Sequence, residues 1–179
     1  SRRTRPESTL DEVRARVALH RHAAENVTDV ERRVAHLTSV ATLFEEIAGD
    51  VAAALSTYQS ILALTPRRMV ALIGVERCAR RLGDAGRAAE SLLEQAGVAA
   101  DVGDANALRL RAAELLKERD PTRALQLVDA ILASSSSGPD AHALRARLLE
   151  RSETWHLAAD EHRRLIELAT DDGERVDDA

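Results

Sequence analysis

The sequence predicts an all-α chain of antiparallel helix hairpins, and three observations carry that prediction. Aromatic residues fill only 2% of the 179 positions, and alanine and leucine supply most of the apolar ones. Strands draw on β-branched and aromatic side chains that suit a pleated surface, whereas Ala, Leu, Arg and Glu are good helix formers. Apolar residues also recur at i, i+3 and i+4, the stripe of an amphipathic helix. The third observation is a recurrence. The stretch 50–66, DVAAALSTYQSILALTP, returns as a skeleton centred on Ala54, Ala88, Ala124 and Ala158.

Taken in order, residues 1–8 read as a polar, flexible lead. A helix is expected from Thr9, which forms a capping box with Glu12, and Leu10, Val13, Val17 and Ala24 make its apolar stripe. Thr28 with Glu31 repeats that signal and opens a longer helix carrying Val30, Val34, Leu37, Val40, Ala41, Phe44 and Ile47. Gly49 closes it, because glycine takes the left-handed conformation of a helix end without steric cost. Helices are then expected over 51–64, 69–82, 87–100, 105–118, 121–133, 140–152 and 155–170. Between them stand Thr65-Pro66, Gly83-Asp84-Ala85-Gly86, Asp120-Pro121 and the stretch 134–139. Asp120-Pro121 is an N-cap followed by proline at the first helical position, where a missing N–H costs little. Residues 171–179 read as an acidic tail that frays.

The recurrence can be measured. Second helices aligned on their key alanines step by 34, 36 and 34 residues. First helices aligned on Ala71-Leu72, Ala107-Leu108 and Ala143-Leu144 step by 36 twice. The two series agree if the connectors before Ala107 and Ala143 each carry two extra residues and the last turn is two shorter. A small residue at each key alanine lets antiparallel helices approach near the short end of the ~8–10 Å packing range. Phe or Leu there is expected to overpack the hairpin by about 1–3 kcal/mol. One hairpin cannot bury its own apolar face, so neighbours must stack.

Over residues 29–170 the chain resembles the tetratricopeptide-repeat family, whose period is about 34 residues. Ala54, Tyr58 four residues on and Pro66 beyond them carry the likeness, followed by Ala88/Leu92, Ala124/Val128 and Ala158/His162. Gly49 and Gly83 match the glycine that closes a first helix, and Trp155 stands three before Ala158. The first helices depart from the family: they lack its Trp and Tyr and use Leu72, Ala79, Leu108 and Leu115. The resemblance implies repeats over 29–66, 67–102, 103–138 and 139–170, with 9–26 a leftover or capping helix. It implies a right-handed α-solenoid with first helices lining a concave groove. In the Ala-Leu register that groove is lined by Arg77, Arg80, Arg81, Asn106, Arg109, Lys117, His142 and Arg145. Its basic residues point to an acidic or C-terminal-carboxylate ligand held by charge-assisted bonds. The Lys/Asn carboxylate clamp of chaperone-binding members is not matched, the corresponding pairs being Ser39/Leu43, Ile73/Arg77 and Arg109/Ala113.

Composition excludes other classes. A net charge of −5 argues against nucleic acid as partner. With 31% charged residues, no stretch approaches the ~18–20 apolar residues of a membrane span. Among the bases only Lys117 is lysine, a mark of a GC-rich genome. Cys78 is the single cysteine, so no internal disulfide forms, and neither cytoplasm nor periplasm is singled out. It reads as a small buried hydrophobe. The chain opens at Ser1 without Met and reads as an excerpt of a longer protein. His20, His22, His36, His142, His156 and His162 lack zinc-ligand spacing. Glu45-Glu46 and Asp171-Asp172, adjacent in sequence, read as solvated charge; the turn from Gly83 to Gly86 lacks the strand and Lys of a phosphate loop. Trp155 reads as a packing anchor between hairpins, and the serines of 134–137 as a flexible connector. The expected function is a non-catalytic scaffold, without metal or cofactor, binding a peptide or helix of a partner protein within a larger protein or complex. The alternative is a structural array that stacks with further repeats or with itself.

Overall fold

The computed structural model describes residues 7–134 and 138–177, and every regular element among them is helical. The helices are α1 Glu7–Asn26, α2 Val30–Thr42, α3 Val51–Leu64, α4 Met69–Arg81, α5 Ala85–Ala96, α6 Val102–Leu116, α7 Pro121–Leu132, α8 Pro139–Arg151 and α9 Trp155–Asp177. α2 runs on into a π-helical turn, Leu43–Ala48. The chain divides between Val98 and Ala99 into two compact units, α1–α5 and α6–α9. Within each unit every helix packs on the next, which is the all-α hairpin repeat that the sequence predicts.

Aspartates start most of the hairpin helices. Asp29, Asp50, Asp84, Asp101 and Asp120 each accept the backbone N–H three residues on, those of Arg32, Ala53, Arg87, Asp104 and Arg123. Each satisfies a donor that the helix leaves unpaired and sets negative charge at the positive end of the dipole. The cap of α2 is therefore Asp29, one residue beyond the expected Thr28. Gly49 and Gly83, 34 residues apart, take φ of 75° and 76° and turn the chain into Asp50 and Asp84.

The four key alanines lie at the centre of their hairpins. Ala54, Ala88 and Ala124 are fully buried and Ala158 is 2% exposed. Four residues on, Tyr58, Leu92 and Val128 are buried too, while His162 is exposed and pairs with Glu150 at 2.8 Å. Ala54, Tyr58, Ile61, Ala71, Val75 and Cys78 form one core of the first unit with Val34 and Ala41. Val13 and Val17 hold α1 against Val40 and Leu43.

Burial corrects the expected first-helix register. Ala71 and Leu72 are buried in α4; their counterparts in α6 are Ala105 and Asn106, and Ala107 is exposed. A second buried pair, Cys78-Ala79, returns as Ala112-Ala113 and Leu148-Leu149. First helices thus step by 34 and then 36 residues. The two extra residues lie in the α6–α7 turn, and the Ala107-Leu108 and Ala143-Leu144 alignment is two residues out. Several Ala-Leu dipeptides fit the pattern in so alanine-rich a chain, and only burial chooses between them.

Some expectations reach past the described residues. Residues 1–6 of the lead, 135–137 of the serine connector and 178–179 of the tail lie outside them. α9 itself runs to Asp177, beyond the expected end at 170.

Candidate functional site

At about 100° per residue, Val70, Ile73, Arg77, Arg80 and Arg81 fall on one strip of α4. Val70 and Ile73 are 46% and 42% exposed, unusual for apolar side chains in a helix that buries seven residues. The arginines beside them are half-exposed, and each has an internal partner. Arg77 Nε donates to Glu45 Oε1 at 2.5 Å and its Nη2 to Glu45 Oε2 at 2.6 Å, a bidentate fork. Arg81 Nη1 lies 3.4 Å from Glu45 Oε1, and Arg80 Nη1 lies 3.4 Å from Glu76 Oε1.

Glu45 is the residue that sequence reasoning misjudged. Its side chain is 3% exposed, not solvated. It sits in the π-helical turn, where Leu43 and Glu45 face inward and Glu46 outward. Tyr58 Oη donates to Glu45 Oε2 at 3.3 Å and accepts from Arg77 Nη2 at 3.3 Å. The Arg77 hydrogen bonds hold the Glu45 carboxyl below the usual carboxylate range despite its burial. The same bonds raise Arg77 further above its ordinary value. Burial raises Tyr58 and pushes the Cys78 thiol up to about 11, so Cys78 is the buried hydrophobe its neighbours imply. Gly74 makes room for this network: a Cβ there would meet the Tyr58 ring at 2.6 Å.

The other expected groove residues belong to the second unit. Asn106 is buried; its Nδ2 donates to Ser134 Oγ at 2.7 Å and its Oδ1 accepts from Arg109 Nη1 at 2.8 Å. Lys117 Nζ lies 2.7 Å from Glu114 Oε2. His142 and Arg145 converge on Glu161, which is 8% exposed. His142 Nδ1 is 2.7 Å from Glu161 Oε2, Arg145 Nη1 donates to Glu161 Oε1 at 2.5 Å, and Arg145 Nε donates to Asp129 Oδ1 at 2.6 Å. Burial opposes the charge of Glu161, yet the His142 and Arg145 bonds outweigh it and hold the carboxyl below its usual range. Arg145 likewise stays above its ordinary value, burial being overcome by Asp129 and Glu161.

A cleft of about 420 Å³ opens in the same unit among Lys117, Glu118, Leu144, Arg147, Leu148, Glu150, Arg151 and Trp155. Trp155 is 63% exposed, so it stands at a surface and is not the packing anchor the sequence suggested. Of the eight expected groove residues only Lys117 lines this cleft. In the register that burial defines, Arg77, Arg111 and Arg147 share one position of successive first helices, and Arg81 and Arg151 share another. The Ala-Leu alignment, two residues out, sets Ala113 and Leu149 opposite Arg77 and so passes over Arg111 and Arg147, while Arg109 and Arg145 fall opposite Ile73. Among the described residues no group of three or more His, Cys, Asp or Glu could hold a metal ion, and no helix is long and apolar enough to cross a membrane.

Fold and hairpin geometry together define a tetratricopeptide-like helical repeat. Solved structures of MamA share it. MamA 41-end from Desulfovibrio magneticus RS-1 is 12% identical with a TM-score of 0.54, covering 87% of this chain and 96% of that one. A double mutant of MamA RS-1 gives 0.55 at 12% identity, covering 88% and 96%, and a further MamA mutant gives 0.52 at 13%, covering 90% and 97%. At these identities the likeness is one of fold. No protein-family model matches the sequence, and no curated protein matches it.

Proposed function

We propose that the chain is a non-catalytic protein–protein interaction scaffold that binds a peptide or helix of an acidic partner on its first-helix face, as part of a larger assembly. The observation that carries this reading is the α4 strip, where exposed Val70 and Ile73 adjoin Arg77, Arg80 and Arg81. Apolar side chains flanked by cations suit a partner segment that is apolar on one side and carboxylate-bearing on the other. The internal pairs of these arginines do not remove their charge from the surface, since the guanidinium side chains stay 44–57% exposed. The test uses a variant that spares the Glu45 network: Val70→Ser, Ile73→Ser and Arg80→Gln together. An acidic partner retained by the wild-type chain, released by an acidic but not a basic competitor peptide and lost in the variant is the expected result. Retention by the variant would sink the reading.

A second reading, association with further repeats or with a second copy, draws on α9. Its Ile166 is 66% exposed and Leu157 37%. Sedimentation velocity across a concentration series decides it: a concentration-dependent dimer that Ile166→Asp abolishes supports self-association, and a monomer throughout removes it.

A further inference from the structure

We infer that His20 and His36 form a metal clip, a two-histidine site for a divalent first-row transition ion such as Zn2+ or Cu2+ that fastens α1 to α2. The inference goes beyond the scaffold reading and does not depend on it. His20 Nδ1 and His36 Nδ1 stand 3.2 Å apart across the two helices. Their ring centroids are 5.5 Å apart and the ring planes are tilted by 47°, so the rings meet nitrogen to nitrogen and not face to face. Two bonds of about 2.0–2.1 Å to one tetrahedral ion put its imidazole nitrogens about 3.3 Å apart. The gap between the rings already has that width. The two histidines lie 16 residues apart on different helices, which is why spacing along the chain does not show them.

Packing holds both rings in place. His20 stands on α1 three residues after Val17 and four before Ala24, both buried. His36 stands on α2 four residues before the fully buried Val40. Val17 and Val40 belong to the core that seats α1 on α2, so both rings are carried by the seam that joins the helices. If neither Nδ1 carries a proton, two lone pairs face each other across 3.2 Å, an arrangement that a cation between them relieves. Imidazole nitrogen suits Zn2+, Ni2+ and Cu2+, with Cu2+ held most tightly, whereas Mg2+ prefers oxygen. Of the arginines within a turn of the pair, Arg33 is turned to Ala24 O and Val27 O, and Arg16 and Arg32 are exposed, where salt screens their charge. Among the described residues no third His, Cys, Asp or Glu completes a metal-holding group, so the site is a clip whose remaining positions go to water. α1 packs on α2 and the π-helical turn, and an ion shared between the first two adds a tie to the helix that begins the first unit.

The probes are Zn2+, Cu2+ and Mg2+ alone, titrated into the full chain by calorimetry. Zn2+ and Cu2+ are expected to bind saturably, Cu2+ more tightly, and Mg2+ not at all. His20→Ala and His36→Ala should each weaken binding at least about tenfold, since even an outer-shell partner of a metal ligand is worth that factor. His22→Ala, which removes an exposed histidine of the same helix, should leave binding unchanged. Zn2+ should raise the urea midpoint of the wild type and of neither pair variant, because the ion binds the folded chain. Electron paramagnetic resonance of the Cu2+ complex needs no variant and should show two imidazole nitrogens on the ion. Four results each overturn the inference: binding no stronger than that of Mg2+, binding undiminished in both pair variants, a wild-type midpoint that Zn2+ does not move, or a Cu2+ signal without paired nitrogens. His20 and His36 would then be a hydrogen-bonded pair and nothing more.

Discussion

In the first unit a tyrosine lies over a glycine, and in the second the same two register positions hold a valine and a leucine. Tyr58 and Val128 each follow a key alanine by four residues, and Gly74 and Leu144 each follow a buried alanine of the next first helix by three. A large side chain against none and two of middling size fill comparable space between the helices, as close packing requires. The difference is polar. Tyr58 carries a hydroxyl into the core, and a buried hydroxyl needs a partner; Glu45 supplies it, and Arg77 then neutralises Glu45. Val128 and Leu144 bring no such demand, and the buried carboxylate of the second unit, Glu161, instead joins α9 to α8 through His142 and Arg145. The aromatic thus ties its charged network to the core between α3 and α4, whereas the second unit's network, Asp129–Arg145–Glu161–His142, joins α7, α8 and α9 without an aromatic.

The sharpest way to break this comparison is to remove the two arginines in turn. Arg77→Met leaves the buried Glu45 only long contacts, Arg81 at 3.4 Å and the Tyr58 hydroxyl at 3.3 Å, and removing one partner of a buried pair costs about 3–5 kcal/mol. Arg145→Met leaves Glu161 its His142 contact at 2.7 Å, so about 1–2 kcal/mol is expected. Urea denaturation measures both. Equal losses would mean that the Tyr58–Glu45–Arg77 network has no special weight. Glu45→Leu combined with Arg77→Met should recover most of the first loss, because an apolar replacement of a whole buried pair is often neutral.

Next in size is Gly74→Ala. The new Cβ would stand 2.6 Å from a Tyr58 ring tied at its hydroxyl to Glu45 and Arg77, so the ring cannot swing away freely. Overpacking of about 1–3 kcal/mol outweighs the gain of up to about 1 kcal/mol from alanine in a helix. Adding Tyr58→Leu should relieve it, giving a double-mutant cycle that is not additive. Additivity would place the cost elsewhere than the ring.

How far the sequence revealed all this depends on which residues carry the signal. Key alanines, Gly-Asp turns and Asp N-caps act locally, and each left a mark at fixed spacing; the hairpins follow from them. First-helix register was not legible, because Ala107 and Ala105 look alike until burial separates them. Glu45 was not legible either. Its neighbour Glu46 has the same chemistry, and only the π-helical turn decides which of the two faces Arg77, thirty-two residues on. Trp155 carried the family's pattern but not its exposure, which depends on how α8 and α9 meet.

A smaller effect is written in pH. Glu45 is held below its ordinary range when folded, so its ion pair stabilises the chain above the unfolded glutamate pKa of about 4.3 and is lost as pH falls through the lower, folded value. The urea midpoints of wild type and Glu45→Gln should therefore differ fully near neutrality and converge in acid. A difference that persists unchanged in acid would assign Glu45 a packing role in place of an electrostatic one.

Smallest of all should be Arg147→Gln. Its pair with Glu114 spans α8 and α6 at 2.6 Å, as short as the Arg77 fork, yet Arg147 is 55% exposed and Glu114 37%. Water screens both charges, and exposed pairs contribute about 0–1 kcal/mol, so a change within about 0.5 kcal/mol is expected. Length is thus matched between Arg77–Glu45 and Arg147–Glu114 while the exposure of the carboxylate differs, 3% against 37%. If Arg147→Gln costs as much as Arg77→Met, burial of the acid is not what makes the first unit's pair strong. If it costs almost nothing, Arg147 holds its place at the Trp155 cleft for a reason other than the stability of the fold.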